Sequence, residues 1–146
     1  MTKIITINRK ARFNYTIEEE IESGIILLGS EIKSIRQGKV NINDSYASDS
    51  DGDIYLLNCH INEYAGANRF NHAPKRPRKL LLHKKQLNKL ISKIQTKGVS
   101  LIPLSLYFNN RNFVKVKLGV AKGKKLYDKR QSIKERDEKR QKAREE

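Results

Sequence analysis

The chain has 146 residues, with 31 Lys and Arg against 16 Asp and Glu, for a formal net charge of +15. A body of about 120 residues buries roughly 65% of its unfolded surface, so one domain suffices, and the cationic excess selects a polyanionic partner. Its single cysteine excludes an intramolecular disulfide, and no apolar run approaches the ~20 residues of a transmembrane helix.

In chain order, the start MTKIITINRK lacks the apolar stretch of a signal peptide, which gives a cytoplasmic expectation. Phe13, Tyr15 and Ile17 alternate, Glu22-Ser23-Gly24 has turn chemistry, and Ile25 to Leu28 is an apolar run; together they predict an antiparallel hairpin. A short helix is expected next, capped by Ser30 and closed by Gly38, with Ile32 and Ile35 inward and Lys33 and Arg36 outward. Ser45 to Ala47 and Ile54 to Ile61 predict a second hairpin around SDSDGD. NHAPKRPRK, rich in proline and charge, reads as a basic loop and not as a central strand.

Leu87, Leu90, Ile91 and Ile94 fall at i, i+3, i+4 and i+7 ahead of Gly98, predicting a helix whose polar face carries Lys89, Lys93 and Lys97. VSLIPLSLYF and FVKVKLGV then flank Asn109 to Asn112 as a strand pair. Val114, Val116, Leu118 and Val120 supply an inward face, Lys115 and Lys117 a positive outward one, and Pro103 an edge or bulge. Six or seven strands with two or three flanking helices predict a mainly β fold, an OB-like antiparallel barrel, with an open α+β sheet as the rival.

Organisation changes at Gly119, which divides an expected body over 1–118 from a basic tail over 119–146. From Gln131 onward only Ile133 and Ala143 are apolar, too little surface to offset ordering entropy, so the free tail is expected to be disordered. Ser132 and Glu135 have capping-box spacing, and Glu135/Lys139 and Glu138/Lys142 are i,i+4 pairs, which favours a helix once a partner holds it.

Catalytic patterns are weak. GVAKGKK has three residues between its glycines where a phosphate-binding P-loop has four, and it lacks the hydroxyl residue that holds magnesium. Asp49, Asp51 and Asp53 resemble a calcium loop, but Gly52 is off register and His60 occupies the position of the closing glutamate. His60, His72, His83 and Cys59 lack zinc spacing, so no metal site or cofactor is expected. Glutamates 18, 19, 20 and 22 read as an exposed strand face before they read as an acid/base pair. Basic clusters in PKRPRK, VKVK and AKGKKLYDKR, the last with Tyr127 among its cations, favour RNA or DNA, since an aromatic ring stacks on an unpaired base.

NRKARFNYTIEEEIESGIILLGSEIKSIRQGKVNINDSY, PRKLLLHKKQL, LSLY and GVAKGKKLYDKR, in that order, resemble the small protein B family, the SsrA-binding or tmRNA-binding proteins. The resemblance spans nearly the whole chain and implies an OB-like body that binds the tRNA-like domain of transfer-messenger RNA in trans-translation. It implies a non-enzymatic monomer that reaches stalled 70S ribosomes together with elongation factor Tu and GTP. Mapped by motif, Asn8, Arg9, Glu22, Arg36, Lys79, Leu81 and Lys115 become tmRNA-facing candidates, with the core as the other reading of Leu81. Lys122, Gly123, Lys124, Lys125, Tyr127, Asp128, Lys129 and Arg130 become tail residues that meet small-subunit rRNA in the vacant mRNA path, Gly123 permitting the bend. The alternatives are a phosphate-handling enzyme and a generic RNA chaperone of the OB type.

Overall fold

Residues 2–66 and 71–123 are described by a computed structural model of the chain. Its elements are β1 (Lys3–Ile7), α1 (Ala11–Asn14), β2 (Tyr15–Ile25), α2 (Gly29–Arg36), β3 (Val40–Asn41), β4 (Tyr46–Ser50), β5 (Asp53–Leu57), β6 (His60–Ile61), β7 (Arg78–Leu81), α3 (Lys84–Lys97), β8 (Ser100–Phe108) and β9 (Val114–Gly123). The strands form a seven-stranded antiparallel sheet in the order β1-β8-β4-β5-β7-β2-β9, beside a separate β3–β6 pair. β8 also pairs with β9, so the circuit from β8 through β4, β5, β7, β2 and β9 returns to β8.

The alternation of β9 decides which residues face inward. Val116, Leu118 and Val120 are fully buried with Ile54, Leu56, Leu101 and Leu106, while Lys117 is exposed. Pro103 lacks a ladder donor, and the β8–β9 register shifts between Pro103 and Ser105, as its chemistry predicts. α3 adopts the expected face, with Leu90 buried and Gly98 closing the helix at φ +62°. Asp51 and Gly52, at φ +50° and +82°, make the tight turn between β4 and β5 from the SDSDGD stretch. The inward run of that hairpin ends at Leu57; His60 and Ile61 form β6, which pairs with β3.

Three expectations are overturned. The first is the hairpin over residues 13–28: Phe13 lies in α1, and β2 runs unbroken through Glu22-Ser23-Gly24. Gly24 serves close approach and not a turn, because a Cβ there would lie 3.1 Å from the Leu81 Cβ across the β2–β7 pair. Ile26 and Leu28 are exposed, so the run after Gly24 is no buried strand.

The second concerns α2. It begins at Gly29, and Ser30 is not its cap, since the Ser30 hydroxyl meets His72 Nδ1 at 2.9 Å. His72 Nε2 donates to the Ile61 carbonyl at 2.9 Å, which leaves Nδ1 to accept from Ser30. Glu31 Oε1 instead accepts from the Leu28 N–H at 2.7 Å, satisfying an orphan donor of the first turn. Gly38, at φ +72°, follows the helix end as expected.

The third is NHAPKRPRK. Residues 78–81 of this region form β7, an interior strand between β5 and β2, and Arg78 is fully buried. Arg78 Nε donates to Glu31 Oε2, while its Nη1 donates to the Cys59 carbonyl at 2.7 Å and its Nη2 to the Pro74 carbonyl at 3.1 Å. Arg76 Nη2 reaches the other Glu31 oxygen at 2.6 Å. A basic strand is tolerated inside because this fork of donors is satisfied. The sequence-derived boundary at 118/119 falls within β9, where Val120 and Ala121 are fully buried, so the sheet continues to Gly123.

Candidate nucleic-acid interface

The outer face of β2, β7 and β9 assembles most of the candidates. Gly24 lies opposite Leu81 on one side and Lys115 on the other, and Glu22 lies opposite Lys117. One rank of three adjacent strands therefore carries an apolar side chain, a bare backbone and a cation. Leu81 is 50% exposed, which places it on the surface and not in the core. Lys79, two residues earlier on β7, sits 3.5 Å from Asp53.

Glu22 is exposed and accepts a hydrogen bond from the Tyr107 hydroxyl. Burial and this bond to a carboxylate together push the Tyr107 phenol well above its ordinary value, so it acts as a fixed donor that orients Glu22. Arg9 is exposed and lines a hollow of about 360 Å³ with Arg12, Glu20 and Lys117, which connects it to the Glu22 rank. Asn8 is buried: its Nδ2 donates to the carbonyls of Pro103 at 3.0 Å and Ile42 at 3.4 Å. The side chain thereby ties the end of β1 to two distant segments and seats Arg9.

Arg36 stands at the end of α2, four residues beyond Ile32, which borders the same face. α2 is fixed by the Glu31 bridges, by Ser30 to His72, and by the Ser34 hydroxyl, which donates to the Asn62 carbonyl at 2.7 Å. Burial pushes the Glu31 carboxyl up, but hydrogen bonds from Arg76, the Leu28 N–H and Arg78 outweigh it and hold the group below its ordinary value. Composition alone hides this cluster, because Glu31 and Arg78 are 47 residues apart.

The remaining carboxylates of β2 are countered by cations. Lys93 meets Glu19 at 2.9 Å, Lys122 meets Glu18 at 3.3 Å, and Arg12 and Lys117 both approach Glu20. The Lys93 hydrogen bond lowers the Glu19 carboxyl and the Arg12 hydrogen bond lowers that of Glu20, opposite to what a general acid at neutral pH requires. Arg9, Arg36 and Lys115 form no ion pair among the described residues, which leaves them available to phosphates.

A family model described as SmpB protein matches residues 5–146. The chain belongs to the SmpB family. The SsrA-binding protein of Rickettsia canadensis (strain McKiel) is 62% identical over 135 residues, 92% of this chain and 89% of the relative. That of Rickettsia bellii (strain OSU 85-389) is 58% identical over 142 residues, 97% of this chain and 94% of the relative. A chain solved in "tmRNA-SmpB: a journey to the center of the bacterial ribosome" superposes with a TM-score of 0.70 at 45% identity, covering 88% of this chain and 93% of that one.

Of the tail candidates of this SmpB-family chain, Lys122 and Gly123 end β9, and Gly123 lies opposite Tyr15. Lys124, Lys125, Tyr127, Asp128, Lys129 and Arg130 lie outside the described residues. Sequence reasoning missed Phe113, which is 61% exposed beside Leu81. A signal was present: residue 113 has the same outward phase as Lys115 and Lys117.

Proposed function

We propose that this chain binds the tRNA-like domain of tmRNA and acts in trans-translation on stalled ribosomes. The observation that carries the reading is identity of about 60% to SsrA-binding proteins over nearly the full length, with matching coverage of the relatives. The geometry supports it: Arg9, Arg36 and Lys115 meet phosphates, Glu22, oriented by Tyr107, accepts from sugar or base donors, and Lys79 and Leu81 complete the surface. Asn8 acts one step back, by holding Arg9. In this reading the closed circuit of pairings is an OB-like barrel, and the protein is a binding partner and not an enzyme.

The division of labour is between a body ending at Gly123 and the tail beyond it. Lys124, Lys125, Lys129 and Arg130 meet small-subunit rRNA in the empty mRNA path, Tyr127 stacks on a base there, and Asp128 lies within that segment. Elongation factor Tu with GTP joins through the shared RNA, and the protein acts as a cytoplasmic monomer. Competition binding of the tRNA-like domain against an unrelated structured RNA of equal length tests the reading. Selective capture is expected. Equal affinity for both RNAs would remove the tmRNA assignment, and nucleotide turnover by the purified chain would restore the enzyme alternative.

A further inference from the structure

A hollow of about 410 Å³ opens between the start of β2, the start of β4 and the start of β8. Buried Ala47, Val99 and Ile102 line it together with Tyr15, Tyr46 and Ile94, and Tyr46 is 48% exposed. Asn8 borders it too. The Asn8 Nδ2 serves two carbonyls, but its Oδ1 is buried with no hydrogen-bond partner among the described residues. A buried acceptor in that state is costly until a donor reaches it, so the hollow favours an occupant with both an apolar body and a donor.

β9 ends at this hollow. Gly123 lies opposite Tyr15 and Ala121 opposite Ser100, and Tyr15 and Ser100 both belong to the lining. Within residues 124–146, Leu126 and Tyr127 are the one adjacent pair of apolar residues. They stand three and four positions past Gly123, within about 10–14 Å of extended chain.

We infer that Leu126 and Tyr127 fold back into this hollow while the protein is off the ribosome, the Tyr127 hydroxyl donating to Asn8 Oδ1. Charge order supports this occupant. Lys124 and Lys125 precede the apolar pair and Asp128 follows it, while the lining contributes Asp44 and Lys10, both exposed and neither in an ion pair among the described residues. Exposed pairs of this kind add little energy but fix direction. A nucleotide in the same place would bring its phosphate against Asp44. Because the linker is so short, the seat works at an effective concentration in the mM range, so a weak contact fills it and a stronger one empties it. The contact is autoinhibitory: the ring that the proposed function gives to a ribosomal base stays covered until that base competes for it.

The chain contains no tryptophan, so Tyr127→Trp gives the full-length protein one indole as a reporter, and the indole N–H keeps a donor for Asn8. Without RNA, its acrylamide quenching should be several-fold weaker, and its emission shifted to the blue, relative to a free peptide of residues 119–132 with the same substitution. Removing the wall by Tyr46→Ala should restore peptide-like quenching. Asp44→Lys, at an exposed position, should do the same, and adding Lys124→Asp and Lys125→Asp to it should protect the indole again. In the parent, Tyr127→Phe should move the Asn8 side-chain amide resonances. The inference is overturned if position 127 is quenched as in the peptide, if protection survives Tyr46→Ala and Asp44→Lys, if the charge swap fails to restore it, or if the Asn8 resonances stay in place. A peptide-like indole together with weaker RNA capture by Tyr46→Ala would give the hollow to RNA instead. No RNA enters the quenching assay, so its outcome is separate from that of the tmRNA reading.

Discussion

Replacing Arg78 by methionine removes a cation that no ligand can reach, so its effect should appear in folding. Arg78 and Glu31 are both fully buried. Arg78 Nη2 also reaches the Ala73 carbonyl at 3.5 Å; that carbonyl accepts from the Arg76 N–H as well, and Pro74 from the Ile61 N–H, which leaves Cys59 as the one that loses its described partner. The variant therefore strands one carbonyl and leaves the Glu31 carboxylate to Arg76 and the Leu28 N–H. Breaking a buried pair in this way costs about 3–5 kcal/mol, or roughly 10–20 °C in Tm for a body of this size. Urea unfolding of parent and variant measures it. The pH arm is equally specific: because the Glu31 carboxyl is held below its ordinary value in the folded chain, its contribution is complete above the unfolded pKa of about 4.3 and is lost as pH falls through the folded value. Glu31→Gln should flatten that acid limb. A loss below about 1 kcal/mol for Arg78→Met, or an unchanged acid limb for Glu31→Gln, would refute the role assigned to the cluster.

Binding of the tRNA-like RNA should weaken steeply with salt, with a log–log slope near −4 for about five phosphate contacts, measured by filter binding across low and moderate salt. Tyr107→Phe removes the donor that orients Glu22 and should cost about 0.5–1.5 kcal/mol of stability in urea melts, with weaker RNA capture. Deleting residues 131–146 should preserve RNA affinity while abolishing peptide tagging on stalled ribosomes, whereas Arg36→Ala should reduce RNA affinity first; equal affinity losses would contradict the division between body and tail.

Local periodicity was enough for α3 and for the β8–β9 pair, because the spacing of Leu87 to Ile94 and the alternation of Val114 to Val120 are set by which face meets the core. It failed where the reason for a residue lies far along the chain. Gly24 has turn chemistry by sequence, yet its lack of a side chain answers to Leu81, 57 residues later. PKRPRK reads as a basic loop and a nucleic-acid cluster until Glu31 is placed against Arg76 and Arg78. The candidate surface was named through family motifs, not through pattern; the structure then gathered Glu22, Leu81 and Lys115 into adjoining ranks and turned Asn8 inward. Phe113 was legible from phase alone, but an aromatic beside an asparagine-rich turn is easily taken for a strand boundary.

The pairing of β2 with β9 also governs how the molecule is made. Tyr15 lies opposite Gly123, so the β2–β9 pairing cannot be completed until residue 123 has been synthesised, and such long-range pairing is slow to form. Any copy cut short before β9 leaves β2 and β8 each with an unsatisfied edge, a state prone to pairing with other chains. A message broken upstream of β9 therefore yields no partially working body, only a fragment with two open sheet edges.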